Sequence, residues 1–376
     1  MKNKKLFYAI IFLGLLPLLL TANTVVKAPG SLTSLEAGWD WAIKQAGSGK
    51  GFYIGYSIQR LMGEHSCIGS RYSDSEYEIT LHEMITGEKI KREGREKSAA
   101  EYAKEVLAQR KTKRGSGKKV LKDVALLFRY SGKHKGKYDI QAIDMTNLKQ
   151  YVKLEPGTLY WLGRTDKKQS LDFLDRFFSK AGSDVVKKKI VAAVGIHGSE
   201  PAAFVFLKDV IYGNYPEKIR KNAVFWIGEH ETGKTVNLLL DRARKDDSTE
   251  VREHAVFSLY RIDLPEADNG LIALAKNDKD RKVRKKAIFW LGQKACALSE
   301  KVLGGIVKDD ADTEIRKQAV FALSQLAGGS GIPELIKIAK THKNLTVRKQ
   351  AIFWLGESGD PRALKTIIDI LNRAKK

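Results

Sequence analysis

Apolar residues recur at helical spacing through the second half of the chain, and one ten-residue pattern returns there at a fixed interval. Three close copies, 64 residues apart, begin at Ile219, Val283 and Val347. Two weaker copies begin midway, at Val251 and Ile315, so the period is 32 residues. A fixed period of this length is typical of proteins built from stacked structural repeats.

Each 32-residue unit predicts two helices, because apolar residues recur at helical spacing in both of its halves. A glycine-rich stretch such as Ala327–Gly331 separates the two, and Pro333 stands where the first turn of a helix tolerates proline. A single pair leaves one apolar side uncovered, so neighbouring pairs must stack. We therefore predict a mainly α solenoid of about seven two-helix repeats. Their predicted starts are Leu154, Val186, Ile219, Val251, Val283, Ile315 and Val347.

This pattern resembles HEAT repeats, in particular the short units of phycobilisome-lyase-like proteins, over about 220 residues. In that family an Asp before the first helix and the Arg that follows its first residue form a hydrogen-bonded ladder between repeats. The resemblance implies such a ladder here, except that His342 occupies the Asp position in the last unit. The implied members are Asp246, Asp278 and Asp310 with Arg252, Arg284 and Arg316.

Residues 29–153 lack the 32-residue period and predict a small, basic, mainly antiparallel α+β domain ahead of the repeats at 154–376. Ser98–Arg110 has a helical pattern, and Lys111–Lys119 is typical of a flexible basic loop. The predicted strands are Phe52–Ile58, Tyr77–His82, Val124–Tyr130 and Tyr138–Ile143, the last two forming a hairpin.

The first residues have the pattern of a secretory signal peptide, which we assign to residues 1–28. Three lysines precede an apolar run from Leu6 to Leu20, and small residues allow cleavage after Ala22 or after Ala28. The alternative is an uncleaved membrane anchor, but this run is shorter than the about 20 residues that a spanning helix needs. We therefore expect a periplasmic or secreted protein without a stable membrane span after cleavage.

The formal net charge is +23, which favours acidic partners. Lys89–Lys137 alone contains 17 Lys or Arg against 5 Asp or Glu, so much of the charge precedes the repeats. Export argues against nucleic acid as the natural target. We expect the partner to be a protein or an anionic polymer of the cell envelope.

Two sets of side chains repeat at constant positions and are the candidate binding residues. The first set consists of tryptophans at one position of alternate repeats, which Trp161 also occupies. A small residue stands at that position in the units between. Large side chains that alternate with small ones predict packing between stacked helices, and the alternative is an aromatic stripe that binds a partner. The second set consists of lysines two residues after the start of a repeat. They form either a solvated face or a docking row for an extended acidic partner. The candidates are Lys221, Lys285, Lys317, Lys349, Trp226, Trp290 and Trp354.

Two patterns that suggest chemistry do not fit their surroundings. Gly228–Thr235 matches the phosphate-binding loop letter for letter, but that loop follows a strand, whereas the repeat predicts a helix over Ala223–Gly228. An iron-dependent hydroxylase of related architecture binds its metal through His-Glu pairs, whereas this chain has Glu253-His254 in the reverse order. We therefore expect neither a nucleotide nor a metal in the repeats.

One cluster before the repeats keeps an enzymatic alternative open, with His65, Cys67 and His82 as its candidate metal ligands or thiol machinery. Its spacing matches no standard metal site. The only other cysteine is Cys296, so a disulfide framework is excluded. We predict an exported, non-enzymatic binding scaffold with no catalytic residue, metal or cofactor. The alternative is an enzyme whose repeats position its substrate.

Overall fold

The computed structural model divides into two compact units, residues 1–193 and 194–376, each of which is described by itself. The residues that it describes are 24–47, 51–64, 66–69, 79–89, 118–132, 139–294 and 297–374. Three predicted or noted features therefore lie outside the described residues: the predicted signal peptide apart from its last residues, the predicted helix Ser98–Arg110, and Cys296.

The first unit contains a five-stranded mixed sheet with the strand order β1-β5-β2-β3-β4. β5 pairs in parallel with both β1 and β2, whereas β2–β3 and β3–β4 are antiparallel. Three predicted strands and the β3–β4 hairpin are confirmed, although a mainly antiparallel sheet was expected. The strands are β1 Thr24–Lys27, β2 Phe52–Gly63, β3 Lys119–Tyr130, β4 Ile140–Asn147 and β5 Thr158–Arg164.

Two predictions for this unit are wrong. The predicted strand Tyr77–His82 is described only from residue 79: Thr80 forms an isolated antiparallel bridge with Tyr151, and the last two residues of the predicted strand instead begin helix α2, Leu81–Thr86. Thr80 is the N-cap of this helix and forms a capping box with Glu83. The segment expected to be the first helix of a repeat is β5. Its register places Trp161 beside Lys27 on one side and Gly55 on the other. A short apolar run has no periodicity that distinguishes a strand from a buried helix, so only the pairing decides.

Both faces of the sheet are covered, and aromatic side chains dominate one of them. Trp39 from α1, Leu35–Gln45, lies 4.8 Å edge-to-face from Phe128 and 4.6 Å from Phe173, measured between ring centroids. The hydroxyl of the fully buried Tyr56 forms a hydrogen bond with the Ser170 hydroxyl at 2.9 Å, which connects α3, Lys167–Lys180, to β2. On the opposite face the core consists of Tyr53, Leu81, Ile85, Ala125, Leu127, Leu159 and Trp161.

From residue 184 the chain continues as six consecutive helical pairs, which confirms the predicted solenoid with one pair fewer than predicted. The alanine at the fifth position of each copy, such as Ala223 and Ala287, is fully buried, because it lies where neighbouring helices approach most closely. The helices are α3 Lys167–Lys180, α4 Asp184–Gly195, α5 Pro201–Tyr212, α6 Glu217–Ile227, α7 Gly233–Lys245, α8 Thr249–Arg261, α9 Pro265–Asn277, α10 Arg281–Gln293, α11 Ala297–Asp309, α12 Thr313–Ser324, α13 Ile332–Thr341, α14 Leu345–Glu357 and α15 Pro361–Ala374.

Side chains fix where the first helix of a pair begins. Ser248, Asp280, Asp312 and Asn344 each accept a hydrogen bond from a backbone N–H in the first turn of the following helix. Proline stands in the first turn of four second helices, α5, α9, α13 and α15, as predicted for Pro333. No helix among the described residues is long and apolar enough to cross a bilayer.

Candidate binding face of the repeats

The first helix of each of the last five pairs keeps a phenylalanine on its partly exposed side, at the seventh position of the repeat, where the first pair has Ala192. The position returns every 32 residues, and its side chains remain half-buried, apart from Phe353, which is 53% exposed. Sequence reasoning noted the tryptophans beside these residues and missed the phenylalanines. We call the set the phenylalanine row: Phe225, Phe257, Phe289, Phe321 and Phe353.

Ring contacts connect this row from one pair to the next. Phe225 and Phe257 are stacked with centroids 6.3 Å apart, and Phe289 and Phe321 repeat the arrangement at 6.4 Å. Trp290 bridges the two stacks, because its ring lies 4.9 Å from both Phe257 and Phe289. The result is a nearly continuous aromatic surface along several first helices.

The tryptophans pack mainly against the preceding pair. Trp290 stacks on Tyr260 at 4.5 Å, and Trp354 lies 5.0 Å from Phe321. The indole Nε1 atoms of Trp290 and Trp354 are buried and have no hydrogen-bond partner, so their N–H groups face protein rather than solvent. Trp226 covers Gly195, where an added Cβ would come within 2.3 Å of the indole. These contacts favour the packing interpretation for the indoles.

Small residues at the same level let neighbouring first helices approach. A Cβ added to Gly228 would lie 3.5 Å from the Ser258 Cβ, and one added to Gly292 would lie 2.9 Å from the Ala322 Cβ. The buried Ser258 hydroxyl donates to the Val224 carbonyl at 2.9 Å. The alternation of large and small residues thus sets the spacing of the stack.

The lysine row precedes the phenylalanine row by one helical turn. It comprises Lys221, Lys285, Lys317 and Lys349, and Glu253 interrupts it. Lys221 pairs with Glu250 at 3.2 Å and Lys317 with Glu314 at 3.0 Å. Lys349 is exposed, so the positive charge is least compensated towards the C-terminal end of the face.

A cation–π contact closes the row at its other end. The Arg261 guanidinium lies 4.3 Å from the centroid of Phe225 and 6.0 Å from that of Phe257. It also donates to the Phe225 carbonyl at 3.2 Å and pairs with Glu229. Arg261 therefore fixes both rings and is not available as a free positive charge.

The arginine ladder implied by the resemblance is present, with one more member and a different partner. Arg220 Nη1 donates to both carboxylate oxygens of Asp246, at 2.9 and 2.7 Å. Arg252 donates to the Asp246 carbonyl at 2.7 Å and to the Asp280 carboxylate at 2.5 Å. The carboxylate that meets Arg252 is therefore two residues beyond the expected Asp278. Arg284 lies 3.8 Å from Asp310 and continues the ladder.

The phosphate-loop match belongs to a turn between two helices. Helix α6 precedes it, as the repeat predicted, and Thr232 caps α7 by accepting from the Thr235 N–H at 3.3 Å. The structural context that a phosphate loop requires, a strand before the loop, does not occur at this place.

The candidate cluster of the first unit is only partly described, because His65 lies outside the described residues. Cys67 and His82 are half-buried. The Glu83 carboxylate accepts hydrogen bonds from the Thr80 N–H at 2.9 Å and hydroxyl at 3.1 Å, so it serves the capping box. Among the residues with described positions, no three His, Cys, Asp or Glu side chains are grouped as a metal site.

Comparisons with known proteins agree on the repeats. The family model for HEAT repeats matches residues 211–292 and 300–376. Solved structures include the complex of CpcE and CpcF of phycocyanin lyase from Nostoc, 17% identical, covering 42% of this chain and 99% of that one, with a TM-score of 0.32. Human deoxyhypusine hydroxylase is 16% identical over 54% and 77% of the two chains, with a TM-score of 0.24. YibA from E. coli is 19% identical over 54% and 76%, with a TM-score of 0.35. No curated protein sequence gives a significant match.

Proposed function

Because the C-terminal part of the chain consists of HEAT repeats, we propose that the protein is an exported, non-enzymatic scaffold whose first-helix face binds an acidic protein segment. The observation that carries this proposal is the phenylalanine row with the lysine row one turn away. A repeat array presents the same side chains at regular intervals, which suits an extended partner.

The aromatic part of the face supplies apolar contact. Binding energy at protein interfaces concentrates in a few large, rigid side chains surrounded by polar groups. The stacked rings of Phe289 and Phe321 are held by their neighbours before any partner arrives, so little conformational entropy is lost on binding. Phe353 exposes the largest fraction of a ring in the row, which makes it the preferred first contact.

The lysines supply the preference for acidic partners. The ladder arginines Arg220, Arg252 and Arg284 are paired with carboxylates within the fold, so they add little attraction. Lys349 has no carboxylate partner among the described residues, and the chain as a whole carries +23. Such attraction raises association rates and weakens as salt is added.

Export is part of the proposal and follows from the apolar leader Leu6–Leu20. The alternative is an enzyme with a metal or thiol site at His65, Cys67 and His82, whose repeats position its substrate. The experiment below distinguishes a protein partner from an anionic polymer of the cell envelope.

Capture from envelope extracts tests the proposal. The immobilised protein without its leader is compared with a charge-reversed triple variant of the face, K285E/K317E/K349E, at low and high salt. The matched control is K208E/K276E/K340E, which changes three exposed lysines of second helices by the same total charge.

We expect the wild type and the control to retain the same protein at low salt, to lose it at high salt, and the face variant to lose it at both. Protease treatment of the extract should abolish capture if the partner is a protein, whereas a polymer would survive it. Equal capture by the face variant and the control would contradict the proposal.

A further inference from the structure

Two grooves between the ends of successive second helices lie at equivalent positions, 64 residues apart, and they differ. The first, a cavity of about 380 Å³, lies between the ends of α7 and α9 and includes Asp278. The second, about 680 Å³, lies between the ends of α11 and α13 and includes His342 at the matching place. The second cavity is thus larger, and His342 replaces the carboxylate that Asp278 provides in the first.

The ladder loses both of its carboxylates in the last pair. His342 stands where Asp278 stands two pairs earlier, and Asn344 stands where Asp280 does. The earlier pair uses Asp280 as the partner of Arg252, at 2.5 Å. No carboxylate of the described residues takes that role for Arg316.

His342 preserves the local turn without the charge. Its Nδ1 accepts from the Asn344 N–H at 3.1 Å, as the Asp278 carboxylate accepts from the Asp280 N–H at 2.8 Å. Its Nε2 lies 3.1 Å from the Val307 carbonyl. Nδ1 also lies 3.4 Å from the Asn344 carbonyl, so both ring nitrogens are engaged within the fold. The loop is therefore built as in the other pairs, with one negative charge removed.

Arg316 consequently faces the cavity. Its Nε donates to the Asp310 carbonyl at 2.5 Å, which fixes the side chain, and Arg316 is among the residues that line the larger cavity. Arg252, its counterpart, does not line the smaller cavity, because its guanidinium is paired with Asp280. An arginine held in place with unused N–H groups is suited to bind a planar carboxylate.

The surroundings favour an anion with a short apolar stem. Lys308, Lys337 and Lys343 line the cavity with Arg316, against the two acidic residues Asp309 and Glu334. The Lys337 ammonium lies 3.3 Å from the Glu334 carboxylate, so these two charges compensate each other. Val307 and Ile338 provide the apolar wall. The cavity volume is within the usual range for a ligand site.

We propose that this cavity binds the carboxylate of an Asp or Glu side chain from a peptide, which takes the place of the missing ladder carboxylate on Arg316. The site belongs to the ends of the second helices, so it does not depend on the phenylalanine row. It would give the scaffold a defined anchor point near the C-terminal end of the array.

Calorimetric titration and thermal unfolding of the leader-free protein test this assignment with three probes at matched ionic strength. They are the capped peptide acetyl-Gly-Asp-Gly-amide, its Asn counterpart and inorganic phosphate. We expect the Asp peptide alone to bind and to raise the unfolding temperature, since a ligand of the native state stabilises it. Phosphate that binds where the Asp peptide does not would overturn the carboxylate assignment.

Two variants and a control localise the response. R316Q should weaken peptide binding by about tenfold or more, because it removes the charged half of the pair. N344D should give Arg316 the carboxylate that Asp280 gives Arg252, raise the unfolding temperature without peptide, and abolish the response to it. K340Q, an exposed residue of α13 outside the cavity, should behave as the wild type. Peptide binding unchanged in R316Q, or in N344D should R316Q not fold, would overturn the proposal.

Discussion

The rings of Phe289 and Phe321, 32 residues apart in the sequence, lie stacked with centroids 6.4 Å apart and planes 16° from parallel. The same relationship joins Phe225 and Phe257, and Trp290 connects the two stacks. Repetition therefore produces an ordered aromatic surface without any long-range motif. The lysine one turn before each of three of these phenylalanines gives that surface its charge.

The ladder predicts a large loss of stability when one of its buried carboxylates is removed. D246A leaves the Arg220 guanidinium, whose side chain is 17% exposed, without a counter-charge. Breaking such a pair from one side costs about 3 kcal/mol or more, because the remaining charge is desolvated. Urea unfolding measures the loss. The control D247A alters an exposed neighbour and should change stability by less than about 0.5 kcal/mol. Equal effects of the two variants would show that the ladder contributes nothing.

The contact between Gly195 and Trp226 predicts that a single methyl group disturbs the stack. In G195A the new Cβ would meet the indole at 2.3 Å, so the ring or the helix must shift. Overpacking of this kind costs about 1–3 kcal/mol. G233A, where an added Cβ meets nothing within 4 Å, is the matched control. The double variant G195A/W226L should lose less stability than the sum of the two single variants, because the smaller leucine makes room for the added methyl group. Additive losses of stability would contradict the contact.

The buried His230 and the half-buried His254 predict a decrease in stability on mild acidification. Burial lowers the pKa of His230, whose Nε2 has no hydrogen-bond partner, and burial followed by the charge of Lys221 lowers the pKa of His254. The unfolded chain then binds more protons than the folded one below pH of about 6.5. The free energy of unfolding is therefore highest above that pH and decreases as the pH falls towards the pKa of these histidines in the folded protein. In H230Q the stability curve between about pH 5 and 7 should be flatter than in the wild type. Parallel curves for the two proteins would exclude His230 as a source of the effect.

The strand β1 predicts where the leader is removed. Thr24–Lys27 pairs with β5, and the Ala28 N–H donates to the Trp161 carbonyl at 2.9 Å. Cleavage after Ala22 keeps this strand, whereas cleavage after Ala28 removes it and uncovers the edge of β5. Intact-mass measurement of the exported protein should therefore give a chain that begins at Asn23. A mature chain that begins at Pro29 would contradict this prediction.

The repeats were predictable from the sequence because each helix start, apolar face and turn recurs five times or more, so local ambiguity averages out. Leu159–Gly163 was assigned wrongly for the opposite reason. It shares Trp, an aliphatic residue and Gly with the repeat but lacks the Val-Arg start, and five apolar residues fit a strand equally well. Its partners in the sheet are distant in sequence, at Thr24–Lys27 and Phe52–Gly55, and no local pattern announces them.

The candidate face was predictable only in part. The lysines were found by their position, whereas the phenylalanines were passed over because an aromatic residue in a helical pattern is usually core. Their partial exposure depends on how tightly neighbouring helices approach, which Gly228 and Ser258 determine. The sequence showed that His342 replaces a ladder aspartate, but not that Asn344 replaces a second one. The consequence, a cavity lined by Arg316, could be found only from the structure.

Photo-crosslinking in the native compartment tests the central claim most directly. A photoreactive phenylalanine analogue is placed singly at Phe289, Phe321 and Phe353 and, as controls, at the exposed second-helix positions Lys276 and Lys340. The account predicts that the three face positions crosslink to the same protein and that this product is absent from both controls. Crosslinks to that protein from the control positions, with none from the face, would contradict it.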